Sequence, residues 1–251
     1  MEAMILSAGA GTRLRPLTNR KPKALVEVAE RPLLAWVMDR VVETGVNRIV
    51  VNTHYHHDQI EAFLATNVPA GVEIALSPEP EGPYDTGGGL FAAAHLFREN
   101  RSLLLHNVDV LSRIPLDGLL AAHSHASERS ADRLVATLAV QARDANRQLL
   151  FDELGLMGWE NKGSERTAQG SHRVRDPVGE LTRWSFTGIH LVDPKVFKLS
   201  DRTGTFSIVT LYLELAAQGY VIALSDVTEH AWIDVGTAER LAEASRLFGL
   251  Q

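Results

Sequence analysis

The feature of this chain that most restricts its fold is the alternation, through its first half, of apolar β-rich runs with segments of helical period. Strands are expected at Ala3 to Ser7, Arg48 to Asn52, Val72 to Ser77, Leu103 to Asn107 and Leu134 to Gln141, with helices near Leu33 to Glu43, Asp58 to Thr66, Gly89 to Phe97 and Leu116 to Ser124. Alternation of this kind makes βαβ units, and so a largely parallel sheet covered by helices on both faces. Ligands of such sheets gather at the carboxyl ends of the strands. After about residue 145 the rhythm changes. Short strand-like runs around Leu149 to Asp152 and Trp184 to Val192 are split by the polar stretch Asn161 to Asp176, which reads as a mobile surface loop. A helix, a strand and a helix follow, from Ser207 through Tyr220 to Leu224 and then from Thr237 to Phe248.

With 251 residues, 45% of them hydrophobic, the chain can bury one large core or at most two small ones, and no repeat, low-complexity tract or linker divides it. It has no cysteine, so any metal must be held by carboxylates or histidines, and the composition suits a reducing cytoplasm. The opening run Met1 to Ser7 contains an acid, lacks a basic leader and meets glycines at once. It fits a buried strand better than a signal peptide or membrane span. A net charge of −6 argues against non-specific nucleic-acid binding, which needs a basic surface.

Directly after the first strand comes Ala8-Gly9-Ala10-Gly11-Thr12-Arg13-Leu14-Arg15-Pro16-Leu17-Thr18, followed by Lys21-Pro22-Lys23-Ala24-Leu25-Val26. Glycines at a strand end let backbone N–H groups approach phosphate oxygens, and Arg13, Arg15, Lys21 and Lys23 add the cations that a triphosphate needs. Taken alone, the segment also fits a tight turn and a solvated basic loop. A dinucleotide loop would want glycine in place of Leu14, which disfavours a nicotinamide dehydrogenase, and the Gly-Lys-Ser/Thr of a Walker loop is absent. Two acids, Asp109 in His106-Asn107-Val108-Asp109-Val110 and Asp234 in Trp232-Ile233-Asp234-Val235-Gly236-Thr237, lie among apolar residues. Such acids are costly unless paired or metal-bound, so each reads as a metal ligand, a salt-bridged acid or a helix cap. Asp85-Thr86-Gly87-Gly88-Gly89 places three glycines before a helix, either a close-approach surface for a nucleotide or a plain turn. His54, His56 and His57 have no matching acid pattern, and His123 and His125, two apart, would not share a helix face, so both groups read as solvated surface.

The Gly-Ala-Gly-Thr-Arg-Leu-Arg-Pro-Leu-Thr and Lys-Pro-Lys-Ala-Leu-Val strings closely resemble the signature of the sugar-1-phosphate nucleotidyltransferases. The resemblance runs nearly end to end and is strongest at residues 8–26, 85–89, 106–110 and 232–237. It implies a Rossmann-like three-layer α/β/α fold with a mixed, mainly parallel central sheet, of nucleotide-diphospho-sugar transferase type. One domain over 1–251 is expected, with a nucleotide-binding part at 1–145 and a sugar-binding part at 146–251. The implied reaction joins a nucleoside triphosphate to a sugar 1-phosphate with release of pyrophosphate, using Mg²⁺ on Asp109 and Asp234, with Arg13, Lys23 and Asp109 catalytic. Ala8, Gly9, Gly11, Thr12, Arg13, Lys23, Ser77, Thr86, Gly87 and Gly88 are the implied nucleotide contacts. Asn107, Gln148, Asp152, Thr187 and Gly188 are the sugar contacts. The short uridylyltransferases acting on N-acetylmuramate 1-phosphate are the favoured analogy, with UTP as donor. Guanylyl- or cytidylyltransferases of mannose 1-phosphate, heptose 1-phosphate or phosphocholine, and non-catalytic regulatory relatives, stay open. Val108 departs from the family's usual glycine and either narrows the pocket or points into the core. The chain ends soon after its last helix, so no hexapeptide-repeat acyltransferase domain is expected.

Overall fold

The computed structural model describes residues 1–163 and 170–249. Its strands are β1 (Glu2–Leu6), β2 (Glu27–Val28), β3 (Arg31–Pro32), β4 (Arg48–Thr53), β5 (Glu73–Pro78), β6 (Leu103–Asn107) and β7 (Val110–Ser112), then β8 (Leu134–Gln141), β9 (Arg147–Asp152), β10 (Gly155–Asn161), β11 (Gly170–Arg173), β12 (Thr182–Val192), β13 (Val221–Asp226) and β14 (Trp232–Asp234). Its α-helices are α1 (Leu33–Val42), α2 (His57–Asn67), α3 (Asp85–Ala92), α4 (Leu116–Ser130), α5 (Ile208–Ala217) and α6 (Ala238–Phe248).

A ten-stranded sheet runs β11-β10-β9-β12-β6-β1-β4-β5, with β8 and then β13 added beside β12. Pairing is parallel from β6 through β1 and β4 to β5 and between β8 and β13; β12 runs antiparallel to its neighbours. The mixed sheet follows from the sequence, because β1 is apolar on both faces. Met4 and Leu6 join the core beneath α3 and α5, whereas Ala3 and Ile5 join the core with α1, α2 and α4. Helices therefore cover both faces, giving the three layers. A third cluster, with Val26, Val28, Leu33, Leu111, Ile233, Val235, Ala244 and Phe248, seats α6 against β7 and β14.

Two sequence expectations change. Part of the polar stretch from Asn161 to Asp176 is strand rather than loop: β10 ends at Asn161 and β11 pairs antiparallel with β10, while residues 164–169 of that stretch lie outside the described residues. The helix expected at Gly89 to Phe97 begins at Asp85 and closes in a short 3₁₀ turn, Ala94–Leu96. Its glycines thus lie inside the helix. A Cβ on Gly87 would lie 2.5 Å from the Phe206 ring, and one on Gly88 would lie 2.2 Å from the Gly204 carbonyl. Close packing against the 204–208 segment, rather than a bend, requires these residues to be glycine.

Candidate active site

Because β1, β4 and β6 are parallel and in register at Leu6, Asn52 and Asn107, their carboxyl ends open side by side. The chain leaving β1 turns through Gly11, whose left-handed φ of 59° and absent Cβ let it fold over Thr18 and Lys23. Thr18 Oγ1 donates to the Gly11 carbonyl at 2.8 Å, closing the loop. Lys23 is thereby buried, and its Nζ donates to Asp109 Oδ2 across the loop. The neighbouring Lys21 turns outward to Glu27, at 2.9 Å.

Asp109 stands just beyond β6, and Asp234 ends β14. Antiparallel pairing of Asp234 with Val110, together with a 2.8 Å bond from the Val235 N–H to the Asp109 carbonyl, clips the two acids together. Asp234 Oδ1 is buried without a hydrogen-bond partner among the described residues. Burial, and then the charge of Asp109, push the Asp234 carboxyl above its usual range, while Lys23, Arg13 and Arg240 pull it down. Arg13 completes the cluster: one guanidinium nitrogen lies 3.0 Å from where a Cβ on Gly236 would sit, so Gly236 makes room for it. Thr237 caps α6, its side chain accepting from the Arg240 N–H, and so neither acid is a helix cap.

A cavity of about 160 Å³ is lined by Ala8, Gly9, Lys23, Thr86, Asn107 and Asp109, with Ser7, Asn52, Glu79 and Asp85. Thr12 and Arg13 line a separate open cleft with Thr237 and Glu239. Sequence reasoning left Asn52 and Glu79 out of the site. Asn52 accepts from the Ser7 N–H at 2.6 Å and donates to Glu79 Oε1 at 2.7 Å; Glu79 Oε2 accepts from the Tyr84 N–H at 2.7 Å. Polar residues at the ends of apolar strands were the available signal. Val108, for its part, is 3% exposed and packs with Ala24, Val110 and Ile114, so its branched side chain goes into the core and only borders the cavity.

The other expected contacts divide. Gly188, at φ 82°, lies against Asn107: a Cβ there would meet Asn107 Nδ2 at 2.6 Å. Ser77 is buried in β5. Gly87 and Gly88 both donate their N–H groups to the Phe206 carbonyl, and Thr86 Oγ1 accepts from the Ile208 N–H. Thr187 donates to the Ala139 carbonyl, and Gln148 donates to the Arg143 carbonyl at 3.3 Å. Asp152 is paired with Arg175 and borders a different cavity, with Gly155, Tyr220 and Leu224. Of the histidines, His125 is exposed as expected, but others are built into the fold. His123 is buried and hydrogen-bonded to Thr137, His54 bonds the Glu79 carbonyl, and His57 bonds Thr53. Among the described residues no group of three or more His, Cys, Asp or Glu is placed to hold a metal alone, and no helix is long and apolar enough to cross a membrane.

Against known proteins, the family model described as nucleotidyl transferase matches residues 2–249. The chain is 33% identical over 249 residues to an N-acetylmuramate alpha-1-phosphate uridylyltransferase of Caulobacter vibrioides, covering 98% of this chain and 96% of the relative. It is 32% identical over 251 residues to the protein of the same name from Neisseria meningitidis serogroup B, covering 99% of each. Among solved structures, UDP-glucose pyrophosphorylase from Acinetobacter baumanii superposes with a TM-score of 0.77 at 18% identity, over 99% of this chain and 93% of that one, and so shares the fold.

Proposed function

The chain belongs to the nucleotidyl transferase family, and we propose that it transfers the uridylyl group of UTP to N-acetylmuramate 1-phosphate with release of pyrophosphate. The observation that carries the chemistry is the meeting of Lys23, Asp109, Asp234 and Arg13 at one strand-end site, from segments far apart in sequence. The donor and the sugar are supported by the two end-to-end relatives.

In this reading an oxygen of the sugar phosphate attacks the α-phosphorus in line. The bond from that phosphorus to the oxygen bridging to the β-phosphate breaks, and pyrophosphate leaves with the electron pair. No covalent enzyme intermediate forms. Lys23 fixes the Asp109 carboxylate and turns its remaining N–H donors to phosphate. Arg13, whose guanidinium has no hydrogen bond or ion pair among the described residues, is free to fork onto the departing pyrophosphate. Positioning and fixed charge supply the rate.

The site suits a divalent cation. The charge of Asp109 makes an ionised Asp234 costlier, and Asp234 Oδ1 is a buried acceptor without a donor among the described residues. Mg²⁺, which binds through one or two carboxylates and substrate phosphates, would be held by Asp109 and Asp234 and would neutralise phosphate charge there. Residues 1–145 supply the nucleotide side, with Ala8, Gly9 and Thr86 at its cavity, and residues 146–251 supply the second acid and most of the sugar side. A cytoplasmic place suits an enzyme that consumes UTP.

The test is pyrophosphate release with Mg²⁺, each common nucleoside triphosphate and a panel of sugar 1-phosphates. The fastest release with UTP and N-acetylmuramate 1-phosphate, and slower release with other sugar 1-phosphates, is expected. Preference for GTP or CTP with another sugar would overturn the substrate assignment and leave the family chemistry standing. No release with any pair, despite nucleotide binding, would favour a regulatory protein.

A further inference from the structure

Beside Asp234 stands a cation that the chemistry above leaves unused. Arg143, in the turn between β8 and β9, lays its guanidinium 4.1 Å from the centroid of the Trp232 ring. The guanidinium makes no hydrogen bond or ion pair among the described residues, and its Nε is buried without a partner. Holding a half-buried cation without a counter-anion is costly, and stacking on an indole returns only about 1–2 kcal/mol.

The surrounding structure holds this side chain in place. The Arg143 carbonyl accepts from Ser185 Oγ at 3.1 Å and from Gln148 Nε2 at 3.3 Å, tying the turn to β12 and β9. Trp232 is fixed from the other side, its Nε1 donating to the Thr187 carbonyl at 2.9 Å. Two of the residues expected to touch sugar, Gln148 and Thr187, are therefore spent on placing Arg143 and its aromatic platform.

Charge then says what Arg143 faces. Burial lowers its pKa most, followed by repulsion from Arg240, while Asp234 raises it. Arg240 already has Glu243 as partner at 3.6 Å. Trp232, the platform of Arg143, starts the strand that Asp234 ends, so Arg143 stands on the Asp234 side of the cluster. A sugar whose 1-phosphate reaches Asp109 and Asp234 would present its ring substituents there. The missing partner is an anionic substituent.

We propose that Arg143 is a specificity-determining residue of the sugar subsite: its guanidinium, stacked on Trp232, takes the carboxylate of an acidic sugar 1-phosphate. This rests on the assignment of N-acetylmuramate 1-phosphate as acceptor, whose lactyl ether carries the carboxylate. A planar fork suits that group, and a lysine in its place would offer only a point charge.

The experiment compares N-acetylmuramate 1-phosphate with N-acetylglucosamine 1-phosphate, which lacks the lactyl group, as acceptors with UTP for the wild type, Arg143→Gln and Arg143→Lys. Losing a charge-assisted hydrogen bond of about 1.5–3 kcal/mol lowers kcat/KM for the acidic sugar roughly ten- to hundredfold in Arg143→Gln, mainly through KM. The neutral sugar and the KM for UTP stay within about twofold, and Arg143→Lys recovers part of the loss. An equal fall for both sugars, the result of a contact to the phosphate or of a structural role, overturns the proposal; so does no fall for either. A wild type that turns over the neutral but not the acidic sugar overturns the substrate assignment and this inference together. A wild type that prefers the acidic sugar, with a preference unchanged in Arg143→Gln, overturns this inference alone.

Discussion

Replacing Gly188 with alanine separates a fold cost from a site cost. Gly188 sits at φ 82°, and an added Cβ would lie 2.6 Å from Asn107 Nδ2 and 3.0 Å from its Cγ. Gly219, at φ 86°, has nothing within 4 Å of the same imagined atom and serves as the control. A left-handed backbone costs an alanine about 1–2 kcal/mol, of which about 0.4–1 kcal/mol is offset by the stiffer unfolded chain. Either variant should therefore lose on the order of 1 kcal/mol, about 2–4 °C in Tm for a chain of this size. Only Gly188→Ala also pushes the Asn107 amide, which must retreat by most of an ångström to reach ordinary contact. A displacement of about 1 Å at a site that works by positioning can cost on the order of a hundredfold. Thermal scans and pyrophosphate-release kinetics on both variants should show similar small Tm losses, with kcat/KM falling at least about tenfold in Gly188→Ala alone. Undiminished turnover in Gly188→Ala, or an equal loss in Gly219→Ala, would refute the placement of Asn107 at the reacting centre.

Other consequences follow from the buried polar groups. Glu79 is 1% exposed and accepts from Asn52 and Tyr84, so Glu79→Gln turns one acceptor into a donor facing a donor; a loss of about 1–3 kcal/mol, read as a lower midpoint in urea, is expected. Burial holds the His190 ring down at about 3 and His106 at about 4, both below the ordinary value of 6.5. Below that value the unfolded chain takes up protons that the folded chain refuses. Stability should therefore fall by about 1.4 kcal/mol per pH unit for each ring as pH drops from about 6 toward 4. An unaltered slope in His190→Gln would contradict the part assigned to His190. Chelating divalent cations should abolish turnover, and restoring Mg²⁺ should raise Tm if the cation binds the folded acids.

The early strands were legible because each is an apolar run bounded by polar residues, and Leu103–Asn107 and Leu134–Gln141 fold with the ends expected. Where the sequence misled, a distant segment had set the local structure. Gly87, Gly88 and Gly89 look like helix breakers, yet they sit in α3 because Phe206, the Gly204 carbonyl and the side chains of Asn52 and Glu79 occupy the space of their side chains. β11 is short, polar and at the sheet edge, which leaves little periodic signal. β7 and β14 have three residues each, too few to announce themselves, although their pairing brings Asp109 and Asp234 together. Both acids stood out as charges in apolar surroundings and the resemblance implied a shared metal, but nothing in the local sequence announces the β7–β14 pairing that sets them side by side. Arg143 drew no notice, since one arginine in a polar turn looks like surface until its tryptophan platform is seen.

The most direct measurement is the rate of pyrophosphate release from UTP and N-acetylmuramate 1-phosphate as Mg²⁺ is titrated, in the wild type and in Asp109→Asn, with UTP binding followed separately. The expected result is metal-dependent turnover that falls about a hundredfold or more in Asp109→Asn, with the protein folded and UTP still bound. Turnover in Asp109→Asn at the wild-type rate and with the wild-type metal dependence would contradict the assignment of this cluster as the reacting centre.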